Sequence, residues 1–260
     1  MSDAVVGLER HGGVAVVTIN RPKALNALNS AVLTGLESIF AELASDENLR
    51  CVVLTGAGEK SFVAGADIGQ MAEMSPRGAQ TFSGMGHRVL NAISALQVPV
   101  IAAVNGFCLG GGCELSLACD IVYASENAKF GQPEVKLGLI PGFGGTQRLA
   151  RRIGPMRALE LTTSGRMVDA AEAKAIGLCV DVYPQADLME AVMKIAGTIA
   201  KRAPVAVRVA KAVQAAGIEA PLAVANAYER DAFANLFDTY DAKEGMAAFV
   251  EKRSAGFENR

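Results

Sequence analysis

Apolar positions along the chain form short continuous runs that alternate with stretches of helical spacing. Apolar, mostly β-branched runs occupy 14–20, 51–56, 98–106 and 120–125, and each is followed by a turn signal or a polar segment. The runs at 51–56 and 98–106 lack alternating polar positions, which predicts strands that are buried on both faces. Strands separated by helical patterns favour parallel pairing, so the sequence predicts a layered α/β core.

Helical spacing is clearest in two parts of the chain. After Asn29 and Ser30, which can cap a helix, the apolar residues of 31–44 recur three and four positions apart. From about Pro204 onward every segment has helical spacing, and no strand pattern returns. This shift predicts a core over residues 1–200 and a C-terminal helical subdomain over residues 201–260.

Composition and charge narrow the class of protein. At 260 residues, 51% hydrophobic and 20% charged, the chain can bury a sizeable core and is too apolar to be disordered. A formal net charge of −2 does not favour a nucleic-acid-binding protein, which would be expected to have a basic face. Five cysteines without a Cys-x-x-Cys pair argue against zinc and favour reduced thiols. We expect the two histidines, His11 and His87, to be structural or exposed rather than catalytic.

The stretch 89–113 contains no charged residue and is long enough to raise the question of a membrane span. Polar residues such as Asn91, together with Pro99 and several glycines, are unfavourable in a helix that faces lipid. A helix, a buried strand and a glycine turn in succession explain the stretch better. The first ten residues lack an apolar core, so we expect no signal or transit peptide and a cytoplasmic protein.

Candidate chemistry begins at LGGGCELSLACD, residues 109–120, where Glu114 ends the uncharged stretch directly after a glycine run. The glycine clusters fit neither a phosphate-binding loop, a dinucleotide-binding turn nor a nucleophile elbow. They favour the first turn of a helix, where an unpaired backbone N–H can approach a ligand oxygen. An enolate or oxyanion gains most from such a donor. The alternative is close helix packing, with Glu114 as an ordinary first-turn acid.

A second carboxylate follows in FGQPEVKLGLIPGFGGTQRL, residues 130–149, where Glu134 lies in another apolar segment broken by glycines. If two carboxylates on separate segments lie in one pocket, they can act as general acid and general base when water is added to a carbon atom. Taken alone, the Gln-Pro-Glu turn is more typical of a solvated loop. A third cluster, SFVAGADIGQM at 61–71, again has small residues that leave a backbone N–H approachable.

Five separated clusters, in this order, resemble the enoyl-CoA hydratase (crotonase) family: RPKALNAL, FVAGADI, AAVNGFCLGGGCELSLACDIVYA, FGQPEVKLGLIPGFGGTQRL and EGMAAFVEKR. The resemblance runs from about Val14 to Phe257 and is closest to the short-chain hydratases. It implies a crotonase-like spiral of ββα units whose C-terminal helices build trimers, commonly paired into hexamers. It also implies an acyl-CoA thioester substrate, with no cofactor, metal, nucleic acid or membrane partner.

The resemblance assigns roles to particular residues. Glu114 would orient and deprotonate the water that attacks C3, and Glu134 would help to hold this water and manage the proton delivered at C2. The backbone N–H groups of Ala64 and Gly111 would form an oxyanion hole for the thioester enolate. The residues implied in binding the substrate are Ala24, Ala64, Gly65, Ala66, Asp67, Ile68, Gly111, Pro133, Pro141 and Gly142.

Two alternatives on the same fold stay open in the sequence. A Δ3,Δ2-enoyl-CoA isomerase can work with a single acid in the pocket, so the presence of both glutamates favours hydration. A non-catalytic acyl-CoA-binding member would be expected to have lost a glutamate or an oxyanion glycine. The segment ADIGQM also lacks a lysine that many relatives carry there. Lys23 and Lys252 are candidates to contact the CoA phosphates in its place, unless both are solvated surface charges.

Overall fold

The computed structural model describes residues 4–260, which form two sheets and eleven α-helices. The strands are β1 (Val6–His11), β2 (Val14–Ile19), β3 (Cys51–Gly56), β4 (Ser61–Val63), β5 (Val100–Val104), β6 (Phe107–Leu109), β7 (Ile121–Ser125), β8 (Lys129–Gly131), β9 (Met167–Asp169) and β10 (Asp181–Tyr183). The larger sheet has the order β1-β2-β3-β5-β7-β10, and the smaller has the order β4-β6-β8-β9. Strand pairing is antiparallel in β1–β2 and β8–β9 and parallel in the other pairs.

Helices cover both sheets and make up the last part of the chain. They are α1 (Ser30–Ala44), α2 (Ile68–Met71), α3 (Pro76–Ala95), α4 (Gly111–Ala118), α5 (Gly145–Ile153), α6 (Pro155–Ser164), α7 (Ala170–Ala175), α8 (Leu188–Ala200), α9 (Pro204–Ile218), α10 (Leu222–Leu236) and α11 (Tyr240–Glu251). Two short 3₁₀ turns cover Pro22–Ala24 and Glu134–Leu137. Asn29 caps α1 as its sequence predicts, since its side chain accepts a hydrogen bond from the Val32 N–H at 2.9 Å.

Three consecutive segments repeat one pattern, a strand in the larger sheet, a strand in the smaller sheet and then a helix. β3 and β4 precede α2 and α3, β5 and β6 precede α4, and β7 and β8 precede α5. These are the ββα units that the resemblance implies, so the predicted α/β class is confirmed. The strands of the smaller sheet are only three residues long, too short to show a hydrophobic period, and the sequence patterns did not reveal them.

The core lies on both faces of the larger sheet. β3 and β5 are buried along their whole length, as their lack of polar alternation predicted. One face packs against the smaller sheet together with α1 and α3. The other packs against Leu188, Val192 and Ala196 of α8. Continuous burial of this kind gives the site a rigid support.

The uncharged stretch 89–113 folds as the end of α3, the strands β5 and β6, and the start of α4. Within residues 4–260, none of the helices has the length and apolar character needed to cross a bilayer. The five cysteines are all buried, and none forms a disulfide. From Pro204 onward the chain forms α9, α10 and α11, and residues 252–260 contain no helix or strand. Lys211 ties α9 to the core through Asp120 Oδ2 at 2.7 Å.

Candidate active site

The three predicted clusters meet because they follow three adjacent parallel strands. β4, β6 and β8 are neighbours in the smaller sheet, so their carboxyl ends lie at one edge. The segments 64–67, 110–114 and 132–134 begin directly after these strands. Loops at the carboxyl ends of parallel strands are the usual place for a ligand site in layered α/β proteins. The sequence predicted the clusters separately, and the smaller sheet is what brings them together.

Glu114 lies in the first turn of α4 and is almost fully buried, with 1% of its surface exposed. Its Oε1 accepts hydrogen bonds from the backbone N–H groups of Phe143 and Gly145, each at 2.7 Å. Gly145 begins α5, so the carboxylate lies at a helix N-terminus, where the helix dipole favours negative charge. The carboxylate is therefore held in one orientation by the loop that precedes α5. The alternative left open by the sequence, an ordinary first-turn acid beside a closely packed helix, does not account for a buried carboxylate held by two backbone N–H groups.

The surroundings of Glu114 place its titration close to neutral pH. The pKa of Glu114 is raised to about 7, mainly by burial and in part by the nearby charge of Glu134. The N–H groups of Gly145 and Phe143 and the positive charge of Arg148 act in the opposite sense and lower this pKa. A carboxylate with a pKa near the working pH is suited to take a proton from water and to give it back.

Glu134 begins the 3₁₀ turn Glu134–Leu137 and is half-buried. With the buried amide of Gln132 oriented to satisfy both groups, its nitrogen donates to Glu134 Oε1 at 2.9 Å and to Oε2 at 3.2 Å. A Cβ at Gly110 would lie 2.9 Å from Glu134 Oε1 and would clash with it, so the carboxylate can occupy this position only because residue 110 is glycine. Burial raises the pKa of Glu134 above its usual value. Both acids are therefore displaced toward the protonated form.

Gly111 lies where the glycine pattern predicts an approachable backbone N–H. It is the first residue of α4, where the helix offers its N–H no acceptor, and no other group within residues 4–260 accepts from it. A Cβ at this position would contact the Phe143 ring and Leu28 at 3.2–3.3 Å, so a larger residue would crowd the site. The sequence prediction of an approachable N–H next to Glu114 agrees with this arrangement.

The second donor predicted from the sequence, the Ala64 N–H, is already used. It donates to the Leu25 carbonyl at 3.0 Å and joins the segment after β4 to the turn near residue 25. Two residues later, the N–H of Ala66 has no acceptor among residues 4–260, while its neighbours in that bridge do: Leu28 donates to Gly65 and Asp67 donates to Leu28. The choice of Ala64 as donor is therefore wrong. Within the AGAD segment, the N–H groups without an acceptor among residues 4–260 are those of Gly65 and Ala66.

The remaining predicted binding residues lie around these groups. The turn containing Ala24 runs beside the segment 64–68, joined by the bridge between Leu28 and Ala66. Asp67 caps α2 and pairs with Arg21 at 3.0 Å, which fixes this wall of the site. Pro133 immediately precedes Glu134, and the pair Pro141 and Gly142 lies just before the loop that holds Glu114. Lys23 and Lys252 are both exposed, and neither forms an ion pair in the described part of the chain.

Phe143 is a supporting residue that the sequence patterns did not indicate. Its ring is wedged between α3 and α4: a Cβ at Gly86 would lie 2.1 Å from the ring, and one at Gly111 would lie 3.2 Å from it. The Phe82 ring packs beside it, with centroids 5.4 Å apart. Since the backbone N–H of Phe143 donates to Glu114, the wedge also fixes the carboxylate. Gly86 was overlooked because its role depends on a contact 57 positions away in sequence.

Gly145→Ala is expected to lower the turnover of the site about 100-fold without unfolding the protein. The new Cβ would lie 2.7 Å from the side-chain amide of Gln132 and 2.9 Å from Glu114 Oε1, so the carboxylate has to move, and small displacements in an active site have costs of this size. Gly197→Ala is the matched control, because Gly197 lies in α8 and a Cβ there meets no atom within 4 Å. Steady-state kinetics of both variants would test this, and equal activities would contradict it.

Glu114→Gln is expected to stabilise the fold at alkaline pH. The ordinary pKa of this group is 4.5 and the folded protein raises it to about 7, so stability falls as pH rises through that window. Gln keeps an oxygen that accepts both N–H groups and carries no charge. We expect the variant to exceed wild type by about 1–3 kcal/mol at pH 8, and the two to converge near pH 4 to 5. Urea unfolding at both pH values measures the difference, and a pH-independent gap would contradict the account.

The chain is similar in sequence and in structure to known proteins of one family. The model of the Enoyl-CoA hydratase/isomerase family matches residues 9–260. A short-chain-enoyl-CoA hydratase of Clostridium acetobutylicum is 50% identical over 254 residues, which cover 97% of each chain. A crotonyl-CoA hydratase of Syntrophomonas wolfei is 48% identical over 250 residues, 96% of each chain. The crystal structure of an enoyl-CoA hydratase from Bacillus anthracis has a TM-score of 0.96 at 40% identity, and the match covers 98% of this chain and 100% of that one.

Proposed function

The chain belongs to the enoyl-CoA hydratase/isomerase family, and we propose that it hydrates short-chain enoyl-CoA thioesters with Glu114 and Glu134 as its acid–base pair. The protein is an enzyme of the hydro-lyase class, an enoyl-CoA hydratase, as its relatives at 50% and 48% identity are. Its reaction is the reversible addition of water across the double bond next to the thioester, which gives a 3-hydroxyacyl-CoA. The assignment of individual residues to steps of that reaction is our proposal.

The thioester carbonyl is bound by two backbone donors, the N–H groups of Ala66 and Gly111. Neither N–H has an acceptor within residues 4–260, and the two lie on adjacent strand ends, after β4 and β6. Addition of hydroxide at C3 moves negative charge onto the carbonyl oxygen, so these donors interact more strongly with the enolate than with the substrate. The Gly111 donor also lies at the N-terminus of α4, where the helix dipole adds to the effect.

The two carboxyl groups manage the water and the protons. Glu114, ionised, accepts a proton from the water as its oxygen bonds to C3. Glu134, protonated, gives a proton to C2 as the enolate collapses, so the substrate gains one oxygen and two hydrogens. Proton transfer from Glu114 to Glu134 through solvent restores the starting state. The raised pKa of both groups favours a pair that holds a proton near neutral pH, and the assignment of that proton to Glu134 is part of the proposal.

One observation carries the proposal: a buried carboxylate and a second, half-buried one converge beside two unpaired backbone N–H groups. An isomerase needs only one acid, and a binding protein needs neither. The test is an ultraviolet assay with crotonyl-CoA, run beside an assay with a 3-enoyl-CoA. We expect rapid loss of the conjugated enoyl absorbance with crotonyl-CoA and much slower isomerisation of the 3-enoyl thioester. A faster reaction with the 3-enoyl substrate would overturn the assignment.

Assembly is a further part of the proposal. Large apolar side chains are exposed on α10, at its C-cap and on α11, among them Leu222, Phe233, Phe237, Phe249 and Val250. Exposed apolar side chains concentrated in one part of a chain are typical of an interaction surface, so we propose that residues 201–260 join copies of the chain into a homotrimer, alone or paired into a hexamer. Light scattering tests this, and a clean monomer would contradict it. Cytoplasmic location and a reaction that needs no cofactor beyond the CoA of the substrate stay predictions.

A further inference from the structure

Asn26 is a fully buried asparagine in a left-handed backbone conformation. It follows the 3₁₀ turn Pro22–Ala24, and its φ is 58°, with Leu25 before it at 50°. Few residues other than glycine adopt this conformation, and asparagine is among those that tolerate it. Burying a polar side chain is also unfavourable unless its hydrogen bonds are made inside the protein. The contacts of the amide show why both features occur at this residue.

The side-chain amide of Asn26 joins three separate backbone segments. Its Oδ1 accepts a hydrogen bond from the N–H of Arg21 at 2.9 Å, which closes its own turn. Its Nδ2 donates to the Ala57 carbonyl, directly after β3, and to the Ser61 carbonyl, at the start of β4, each at 2.9 Å. One side chain therefore links the loop 21–28 to both ends of the connection between β3 and β4.

Room for this amide exists because residue 56, the last of β3, is glycine. A Cβ at Gly56 would lie 2.7 Å from Asn26 Nδ2 and 2.5 Å from the Ser61 carbonyl oxygen. Any side chain at this position would push the amide and the start of β4 away from the end of β3. The glycine therefore allows the amide, β3 and β4 to lie in contact.

The loop 21–28 in turn lies against the segment 64–67, which follows β4. Three backbone hydrogen bonds of 2.8–3.0 Å join the two, namely Ala64 to Leu25, Leu28 to Gly65 and Asp67 to Leu28. These bonds leave the N–H of Ala66, the proposed donor to the thioester carbonyl, without an acceptor within residues 4–260. The position of the loop therefore sets the direction of the Ala66 N–H.

Arg21 makes a second link between the loop and this segment, and water reaches it. Its Nη2 donates to Asp67 Oδ2 at 3.0 Å, and the two side chains keep 21% and 25% of their surface exposed. Ion pairs that are open to water contribute little. The bond from Asn26 to the Ser61 carbonyl is buried, and breaking a buried hydrogen bond costs more than breaking an exposed one. Asn26 is therefore the stronger of the two links.

We propose that Asn26 is the positioning residue of the Ala66 donor. It holds the loop 21–28 against β4, and the loop directs the Ala66 N–H toward the thioester oxygen. The inference rests on the proposed function, in which this N–H stabilises the enolate. Asn26 does not touch the substrate. Its loss should therefore raise the energy of the state in which charge develops on the oxygen, more than it weakens substrate binding.

The test is Asn26→Asp, assayed with crotonyl-CoA. Aspartate has the same shape and tolerates the left-handed backbone, but its ionised carboxylate has no N–H for the carbonyls of Ala57 and Ser61. We expect kcat to fall about 10- to 100-fold, with KM within about threefold of wild type, because a displaced donor loses transition-state stabilisation. Asn26→Gly keeps the backbone conformation and removes every side-chain bond, so it should lose at least as much.

A spectroscopic measurement separates positioning from general destabilisation. The chromophore of 4-(dimethylamino)cinnamoyl-CoA absorbs at longer wavelength when its carbonyl oxygen is polarised by hydrogen bonds. With protein in excess, the shift on binding to Asn26→Asp should be less than about half of the wild-type shift. A merely destabilised protein would still give the full shift from its folded molecules.

Thr55→Val is the matched control. It removes a buried hydrogen bond of the same length, from Thr55 Oγ1 to the Ala103 carbonyl at 2.9 Å, at the residue before Gly56. The Thr55 hydroxyl has no partner in the loop 21–28 or in the segment 64–67. This variant should unfold at a lower temperature but keep the full absorbance shift and a kcat within about twofold of wild type.

A measurement on the wild type keeps the inference testable if the Asn26 variants do not fold. Hydrogen–deuterium exchange followed by mass spectrometry reports on peptides that contain the loop 21–28 and the segment 64–67. If the loop is held as proposed, the N–H groups of Leu28, Ala64 and Asp67 should exchange as slowly as those of β3. Exchange as fast as that of an unbonded loop would overturn the inference.

The outcomes separate the inference from the proposed function. A wild type inactive on crotonyl-CoA would contradict the proposed function, while the absorbance shift and the exchange rates would still decide the role of Asn26. An active wild type would overturn the inference if Asn26→Asp or Asn26→Gly kept the full shift and lost no more kcat than Thr55→Val. The hydratase mechanism would then stand without it.

Discussion

Glu114→Gln is expected to lower kcat for crotonyl-CoA hydration by about 100-fold or more. General-base catalysis contributes about 10²- to 10⁴-fold, and Gln cannot accept a proton from water. The change is nearly isosteric, and the amide oxygen can still accept the two 2.7 Å hydrogen bonds from Phe143 and Gly145. Substrate binding should therefore persist, with the loss in kcat rather than in KM. Stopped-flow and steady-state ultraviolet assays measure the two parameters separately.

The control for this variant is Glu126→Gln, which removes a carboxylate from an exposed position after β7. It changes the net charge equally and should retain wild-type kinetics. Circular dichroism and light scattering on all three proteins exclude misfolding as the cause. If Glu114→Gln kept more than about a tenth of the wild-type kcat, Glu114 would not be the base, and the pH behaviour assigned to it would need another group.

Replacing the Ala66 amide by an ester, through incorporation of lactate, should lower kcat about 100- to 1000-fold. The ester removes one N–H and leaves the side chain unchanged. Loss of a single oxyanion-hole donor has an effect of this order, because the donor is aimed at charge that develops only in the transition state. The Ala66 N–H has no acceptor in the described residues, so its removal breaks no internal hydrogen bond.

The same exchange at Ala64 provides the comparison. Its N–H donates to Leu25 at 3.0 Å, so the ester should cost about 1 kcal/mol of stability and have little effect on kcat. The reverse pattern, with Ala64 essential and Ala66 neutral, would restore the donor that the sequence suggested. Equal small losses at both positions would remove this segment from the oxyanion hole.

Most of the fold was accessible from the sequence because its long elements have clear periods. The runs at 51–56 and 120–125 became β3 and β7 to within a residue, and the helix after Asn29 became α1. Strands buried on both faces of a layered sheet are continuous apolar runs, and this pattern can be recognised in a single sequence. The strands of the smaller sheet have three residues each, and three residues do not define a period.

The roles proposed for the two glutamates and for the Gly111 N–H could be inferred from the sequence because each has a local signature. A carboxylate after a glycine run, at a helix start, is a property of contiguous residues. The donor in the AGAD segment could not be placed to the residue, since every small residue in it leaves its N–H approachable. Which N–H groups are free depends on Leu25 and Leu28, whose carbonyls accept from Ala64 and Asp67 and leave the N–H groups of Gly65 and Ala66 unpaired.

The residues that hold the carboxylates of Glu114 and Glu134 in position could not be identified from local sequence patterns. Gln132 is two residues from Glu134, yet its role depends on the turn that folds its amide back onto the carboxylate. Gly145 resembles any helix-start glycine until Glu114 is known to lie against it.

The most direct test of the account is a double-mutant cycle on crotonyl-CoA hydration with Glu114→Gln, Glu134→Gln and the double variant. If the two carboxylates act on one water as a unit, each single change should lower kcat by about 100-fold or more. The kcat of the double variant should then lie within about tenfold of that of the less active single variant. The reason is that losing either carboxylate already disables the step in which both take part. A double variant whose loss equals the product of the two single losses, or one glutamate that proves dispensable, would contradict the two-glutamate mechanism.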